Sequence, residues 1–180
     1  MDNGASSYSR FLQGDESALT EIVSQYRPGL QNYIYSVVGN YAVAEDLTED
    51  TFVKLLLKKP KNKGGATFKT WLYTIGRNLA IDYLRKNPTE RYVPLDEIYD
   101  IAGGGEKETS EDALRAIRDA MEKINSDYKN ILVLFYFEDF TIEEISKIIR
   151  KSKKSTSVLL HRARKAMKKQ LEKERFTYEN

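Results

Sequence analysis

FTIEEISKIIRKSKKSTSVLLHRARKAMKK, residues 140–169, reads as a short helix, a tight turn and a longer basic helix. Ile142, Ile145, Ile148 and Ile149 recur at three-to-four spacing, as do Leu160, Ala163 and Met167, so each helix has one apolar face to bury. Thr141 and Glu144 have the spacing of a capping box, which fixes where the first helix starts. Outward on the second helix remain Lys153, Lys154, Ser155, Ser157, Val158, His161, Arg162 and Lys165. This is a helix-turn-helix pattern, in which the start of the second helix faces base edges and later cations face phosphates. A basic helical hairpin with no DNA role satisfies much of the same pattern. His161 has no cysteine and no second histidine to share a metal with, so no zinc site is expected.

Helical periodicity extends outward from this segment through most of the chain, and strand-like alternation is nearly missing. An all-α fold follows. One helix is expected from about Ser17 past Pro28 to the Gly39-Asn40 stop, and others over residues 42–57 and 68–86, separated by the broken basic loop KKPKNKGGAT. Residues 91–109 combine helix breakers, acids and the Gly103-Gly104-Gly105 run, which describes a flexible connector. Beyond it, helices are expected over residues 110–124, 126–137, 141–149 and 153–173. The chain therefore divides into a first unit at 1–90, a linker at 91–109 and a second unit at 110–180.

The net charge of +2 conceals strong segregation. Residues 1–53 carry two basic and eight acidic side chains, and residues 54–86 carry nine and one. Residues 87–140 then carry six and thirteen, and residues 141–180 twelve and five. Two separate basic blocks point to two polyanion contacts, since clustered cations release counterions from phosphates; the competing reading is a pair of solvated helix faces. No nucleotide-binding loop, nucleophile with its base, or metal constellation is present, so neither an enzymatic role nor a cofactor is expected. The absence of cysteine excludes disulfides, and no apolar run is long enough to insert in a membrane, so a cytoplasmic location is expected.

In FKTWLYTIGRNLAIDYLRK, residues 68–86, Leu72, Ile75, Leu79 and Tyr83 form the buried stripe. Trp71 and Tyr73 beside a basic loop suit stacking on unpaired bases, although aromatics at this spacing are as often core.

Together, AEDLTEDTFVKLL at 44–56, the helix at 68–86, LVLFYFEDFTIEEISKII at 132–149 and LHRARKAMKK at 160–169 resemble the extracytoplasmic-function group of bacterial sigma factors, in order and over nearly the whole chain. The resemblance implies a region 2 helical bundle and a region 4 helix-turn-helix, acting with core RNA polymerase on promoter DNA, with an anti-sigma factor as a further partner. It implies that Glu45, Asp46, Leu47, Glu49, Asp50, Phe52 and Leu55 dock on core polymerase, with Leu56 adding apolar area. It implies −10 recognition and melting by Lys63, Lys69, Trp71, Tyr73, Arg77, Asn78, Asp82, Arg85 and Lys86, and −35 recognition by the outward residues of the last helix. The acids Asp96, Glu97, Asp100, Glu106 and Glu108 are expected to thread the polymerase's RNA path, or to serve only as a solvated tether.

Two features depart from the family pattern. Arg150 and Lys151 stand in the turn where a glycine and an apolar residue are common, and Val158 and Leu159 stand where polar side chains are usual. Contact with thymine methyls and packing on another protein both remain open for that apolar pair. An autonomous helix-turn-helix regulator is the alternative to a sigma factor.

Overall fold

The computed structural model describes residues 4–59, 66–88 and 111–178, all helical or connecting among those residues. The elements are α1 (Ala5–Leu12), α2 (Ser17–Val38), α3 (Tyr41–Lys58), α4 (Phe68–Lys86), α5 (Glu111–Lys123), α6 (Ser126–Leu132), a π-helical turn (Val133–Phe137), α7 (Ile142–Ile149) and α8 (Lys153–Tyr178). The 91–109 connector, its acids and Lys63 lie outside the described residues.

Local chemistry sets the boundaries. Gly39 ends α2 in the left-handed conformation (φ 72°), and the Asn40 side chain accepts from the Val43 N–H at 3.2 Å to start α3. Thr67 caps α4 by accepting from the Thr70 N–H at 3.2 Å. The expected capping box is present: Thr141 accepts from the Glu144 N–H, and Glu144 accepts from the Thr141 N–H at 3.0 Å.

Two features extend the sequence reading. Helix α1 was not expected; Tyr8 and Phe11 bury its inner face, and Tyr8 meets Phe68 with ring centroids 5.2 Å apart. The expected 126–137 helix widens in its second half, where the Glu138 N–H donates to the Val133 carbonyl, five residues back, at 3.1 Å. Such π turns are rare and concentrate at functional positions.

In the first unit α2 packs on α3 and α4 around Leu30, Ile34, Leu55 and Leu72, all fully buried. Gly76 permits that closeness, since a Cβ there would stand 2.9 Å from Leu30 Cδ1 and 3.1 Å from Ile34 Cδ1. In the second unit α6 and α7 pack on α8 around Ile131, Ile145, Ile148 and Leu160. The two units do not stand apart: α4 packs against α7, and α2 against α6 and the π turn, so their buried side chains join in one cluster. The two expected units are present, and their described residues pack against each other.

Candidate partner and nucleic-acid interfaces

Helix α3 sorts its residues by face. Leu47, Phe52 and Leu55, expected to supply docking area, are 8%, 7% and 0% exposed and belong to the core of the first unit. The reason is periodicity: they lie on the stripe with Ala44, Thr48 and Thr51, which faces α2 and α4. The apolar surface that α3 does present is Val53, Leu56 and Leu57, at 46%, 44% and 74% exposure. Val53 and Leu57 had not been identified from the sequence. Asp46, Glu49 and Asp50 are exposed on the same side, so the accessible face runs from acidic to apolar along the helix. Arg27 of α2 lies 3.4 Å from Glu45 and 3.0 Å from Glu49, which partly satisfies two of the four acids. Asp46 and Asp50 keep no ion pair among the described residues.

Helix α4 divides its predicted residues between two opposite stripes. Lys69, Tyr73 and Arg77, one turn apart, face the second unit. Tyr73 is fully buried, its ring edge-on to Phe140 with centroids 4.9 Å apart, and its hydroxyl donates to the Glu138 carboxylate. Burial and that neighbouring carboxylate hold the phenol well above its ordinary pKa, so it stays a protonated donor. Lys69 Nζ donates to the Glu138 carbonyl at 2.6 Å, and Arg77 borders the cleft between units with Tyr33 and Asp127. Base stacking by Tyr73 is therefore not available in this arrangement.

On the far side lie Trp71, Asn78, Asp82 and Arg85, with Lys86 beside them. Trp71 is half-buried, wedged between Tyr8 and Phe68 with centroids 5.3 and 5.8 Å away. It thus serves the core and offers part of its ring outward. Asp82 and Arg85 pair at 3.3 Å, both largely exposed. This stripe combines an amide, a carboxylate, cations and an aromatic edge, a donor and acceptor mixture suited to bases and phosphates together.

The reading head is formed as expected. Ser152 Oγ accepts from the Ser155 N–H at 3.1 Å and starts α8. Lys153, Lys154, Ser155, Ser157, Val158, His161, Arg162 and Lys165 are all exposed, whereas Thr156, Leu160 and Ala163 face inward. Val158 is 43% exposed, and Leu159, half-buried, lines a shallow cleft with it beside Lys151, Lys154 and Arg162. Arg164, between the outward residues in sequence, turns back to lie 4.9 Å from the Phe135 ring centroid. Arg150 takes the left-handed conformation at the end of α7 (φ 55°, ψ 47°), so the turn survives without the usual glycine. Lys153 is tied to Glu143 at 2.7 Å, which with Lys147 draws that carboxyl below its ordinary pKa.

Among the described residues no cluster of three or more His, Cys, Asp or Glu side chains is arranged to hold a metal, and no helix is long and apolar enough to cross a membrane.

Comparison with known proteins places these elements. Sigma-70 region 2 matches residues 22–89, and Sigma-70 region 4 matches residues 114–167. The chain is 28% identical over 171 residues to the ECF RNA polymerase sigma factor SigW of Bacillus subtilis, covering 88% of this chain and 91% of that one. It is likewise 28% identical over 162 residues to the RNA polymerase sigma factor SigV of the same organism, covering 90% and 96%. Among solved structures it is similar in fold to the sigma factor RpoE in complex with the anti-sigma factor NepR from Bartonella quintana, with a TM-score of 0.68 at 22% identity over 85% of this chain and 96% of that one. CnrH in complex with the cytosolic domain of CnrY matches with a TM-score of 0.64 at 19% identity over 94% and 95%. None of these matches supports an autonomous regulator.

Proposed function

Because the chain belongs to the sigma-70 family, in its extracytoplasmic-function group, and is an RNA polymerase sigma factor directing promoter-specific initiation, we propose a specific assignment of its surfaces to the steps of that task. The acidic-to-apolar face of α3, with Glu45, Asp46, Glu49 and Asp50 at one end and Val53, Leu56 and Leu57 at the other, docks on core polymerase. Such a face fits a partner that is basic at one end and apolar at the other, where charge sets orientation and apolar burial supplies most of the affinity.

The far stripe of α4, Trp71, Asn78, Asp82, Arg85 and Lys86, meets the −10 element, with Lys63 of the preceding loop as an added cation. No hydrolysis is needed to part the strands. Unstacking a base costs a few kcal/mol, and a pocket that takes the flipped base beside a basic track offsets it. The exposed start of α8 enters the major groove at the −35 element, Lys153, Ser155 and Ser157 nearest the base edges and Arg162 and Lys165 on phosphates. Val158 reads a thymine methyl there, because its exposure falls within the groove-facing turn. The protein has no catalytic role of its own and works in the cytoplasm with the polymerase. Since RpoE of Bartonella quintana, similar in fold, is held by the anti-sigma factor NepR, an inhibitor of that kind is a candidate partner here.

The observation that carries this assignment is the pair of accessible cation-bearing helix faces, one in each matched region, in the family's order. Transcription by core polymerase and this chain over a library of random promoters tests it. Enrichment of two short motifs at one fixed spacing is the expected outcome. Enrichment of a single motif would remove one of the two readers.

A further inference from the structure

Helix α1 precedes the residues that match Sigma-70 region 2, which begin at 22, and so lies outside both matched regions. It is nevertheless built into the start of α4. Tyr8 and Phe11 are 5% and 2% exposed, and the Tyr8 ring meets both Phe68 and Trp71, with centroids 5.2 and 5.3 Å away. Tyr26 of α2 backs the group, 5.7 Å from Phe68. Gly4 lets the chain come this close: a Cβ there would stand 2.6 Å from Phe68 Cδ1 and 2.8 Å from Tyr26 Cε2, and its φ of 80° suits glycine. On the outer side Arg10 pairs with Glu21 at 2.6 Å and with Asp15 at 3.2 Å, and Ser7 donates to Glu21 at 3.0 Å, which fixes the rotation of α1 on α2.

The end of α3 is held by the same helix. Lys59, which follows α3 at φ 39° and is exposed, places its ammonium 4.9 Å from the Phe11 ring centroid. Helix α1 therefore grips the chain on either side of residues 60–65, at Lys59 before them and at Phe68 and Trp71 after them. Core stability alone asks only for buried apolar area. It does not ask that one buried ring hold an exposed cation, or that another face an indole whose remaining surface lies on the stripe of Asn78, Asp82 and Arg85. We propose that α1 is a positioning element for −10 recognition, with Tyr8 fixing the angle of the Trp71 ring and Phe11 fixing the Lys59 ammonium. The inference rests on the reading of that stripe as the −10 contact.

The physical basis is pre-organisation. Stacking on an unpaired base gains about tenfold in affinity, and only when the ring is presented at the right angle. An indole free to turn about its side-chain torsions is ordered at the moment of binding, which gives back part of that gain. An indole wedged between Tyr8 and Phe68 is ordered when the chain folds. An ammonium held over a ring likewise meets a phosphate with less freedom to lose than one on an unrestrained lysine stem. Loss of the Tyr8 ring leaves the helices in place and loosens the reader. The effect is confined to the −10 element, because α1 packs on α2, whereas the −35 reader α8 packs on α5, α6 and α7.

The test is selection from a library of random promoters by core polymerase and the full chain, comparing the parent with Tyr8→Leu, Phe11→Leu, Lys59→Gln and the conservative Tyr8→Phe. Leucine keeps apolar volume at both buried sites, and circular dichroism checks folding at the assay temperature. Lys59 is exposed, so Lys59→Gln stays folded and carries the test alone if a leucine variant does not fold. Trp71 is the only tryptophan in the chain, and its emission reports the surroundings of the ring in each variant. In Tyr8→Leu, Phe11→Leu and Lys59→Gln, discrimination among −10 sequences should fall by about three- to tenfold, the factor that one ring contact is worth. The −35 preference should stay as in the parent, and Tyr8→Phe should keep both. Phe11→Leu combined with Lys59→Gln should discriminate no worse than either alone, since both remove one contact. Equal loss of both preferences would mean that α1 only supports the fold, and would overturn the proposal. So would an unaltered −10 preference in folded Tyr8→Leu and Lys59→Gln. A parent chain that selects no −10 motif would instead remove the functional reading on which the proposal rests.

Discussion

Arg150 holds φ 55° at the turn of the reading head, a conformation that costs an L-residue on the order of 1 kcal/mol and costs glycine almost nothing. Arg150→Gly is therefore expected to stabilise the protein by about 1 kcal/mol, raising the melting temperature by roughly 2–4 °C in differential scanning calorimetry. The sequence showed the unusual residue; only the backbone angle shows that the turn kept its shape. Glu144 gives a second prediction. Burial opposes its ionisation, but the Thr141 N–H and the hydroxyls of Thr141, Thr70 and Thr67 together hold its carboxyl below the ordinary value. A group depressed in the folded state contributes stability that is complete above the ordinary carboxylate range and is lost as pH falls through the depressed value. Thermal melts stepped down through that range should show the loss, and Glu144→Gln should flatten it.

At the scale of the element, α3 shows what periodicity can and cannot decide. Its extent was legible from Asn40 and the apolar spacing, but which leucines face the partner was not. Leu55 and Leu56 are adjacent in sequence, and only the packing of α2 and α4 shows that the first is core and the second is surface. Leu55→Ala is expected to cost about 2–5 kcal/mol in urea unfolding, as for other fully buried leucines. Asp46→Lys combined with Asp50→Lys should leave the unfolding midpoint nearly unchanged and weaken capture of core polymerase. Helix α8 makes a parallel case, since its exposed cations were all legible from spacing alone. Replacing Arg162 and Lys165 with Ala should lower duplex affinity and reduce the log-log salt slope by about one unit per lost phosphate contact. Helix α1 escaped the sequence reading because it is short and Gly4 gives it no side-chain cap. The π turn escaped because the run VLFYF fits an α-helix equally well by pattern.

For the whole molecule, fold class, element order and the helix-turn-helix were legible because each rests on local spacing and caps. The packing of one unit on the other was not. It depends on contacts such as Ser36 Oγ to Asn130 at 2.8 Å and Tyr73 to Glu138, each joining residues far apart in the chain. Long-range polar pairs leave no periodic trace in one sequence. That arrangement also reassigns the predicted −10 residues, because Lys69 and Tyr73 contribute to that packing while Asn78, Asp82 and Arg85 remain accessible. Single-round transcription by core polymerase, with and without the chain, on a template carrying a promoter selected from the library measures the central claim most directly. A transcript of one defined length that requires both components is the predicted result. Tight binding of that promoter duplex by the chain alone, with no transcript when core polymerase is added, would contradict it.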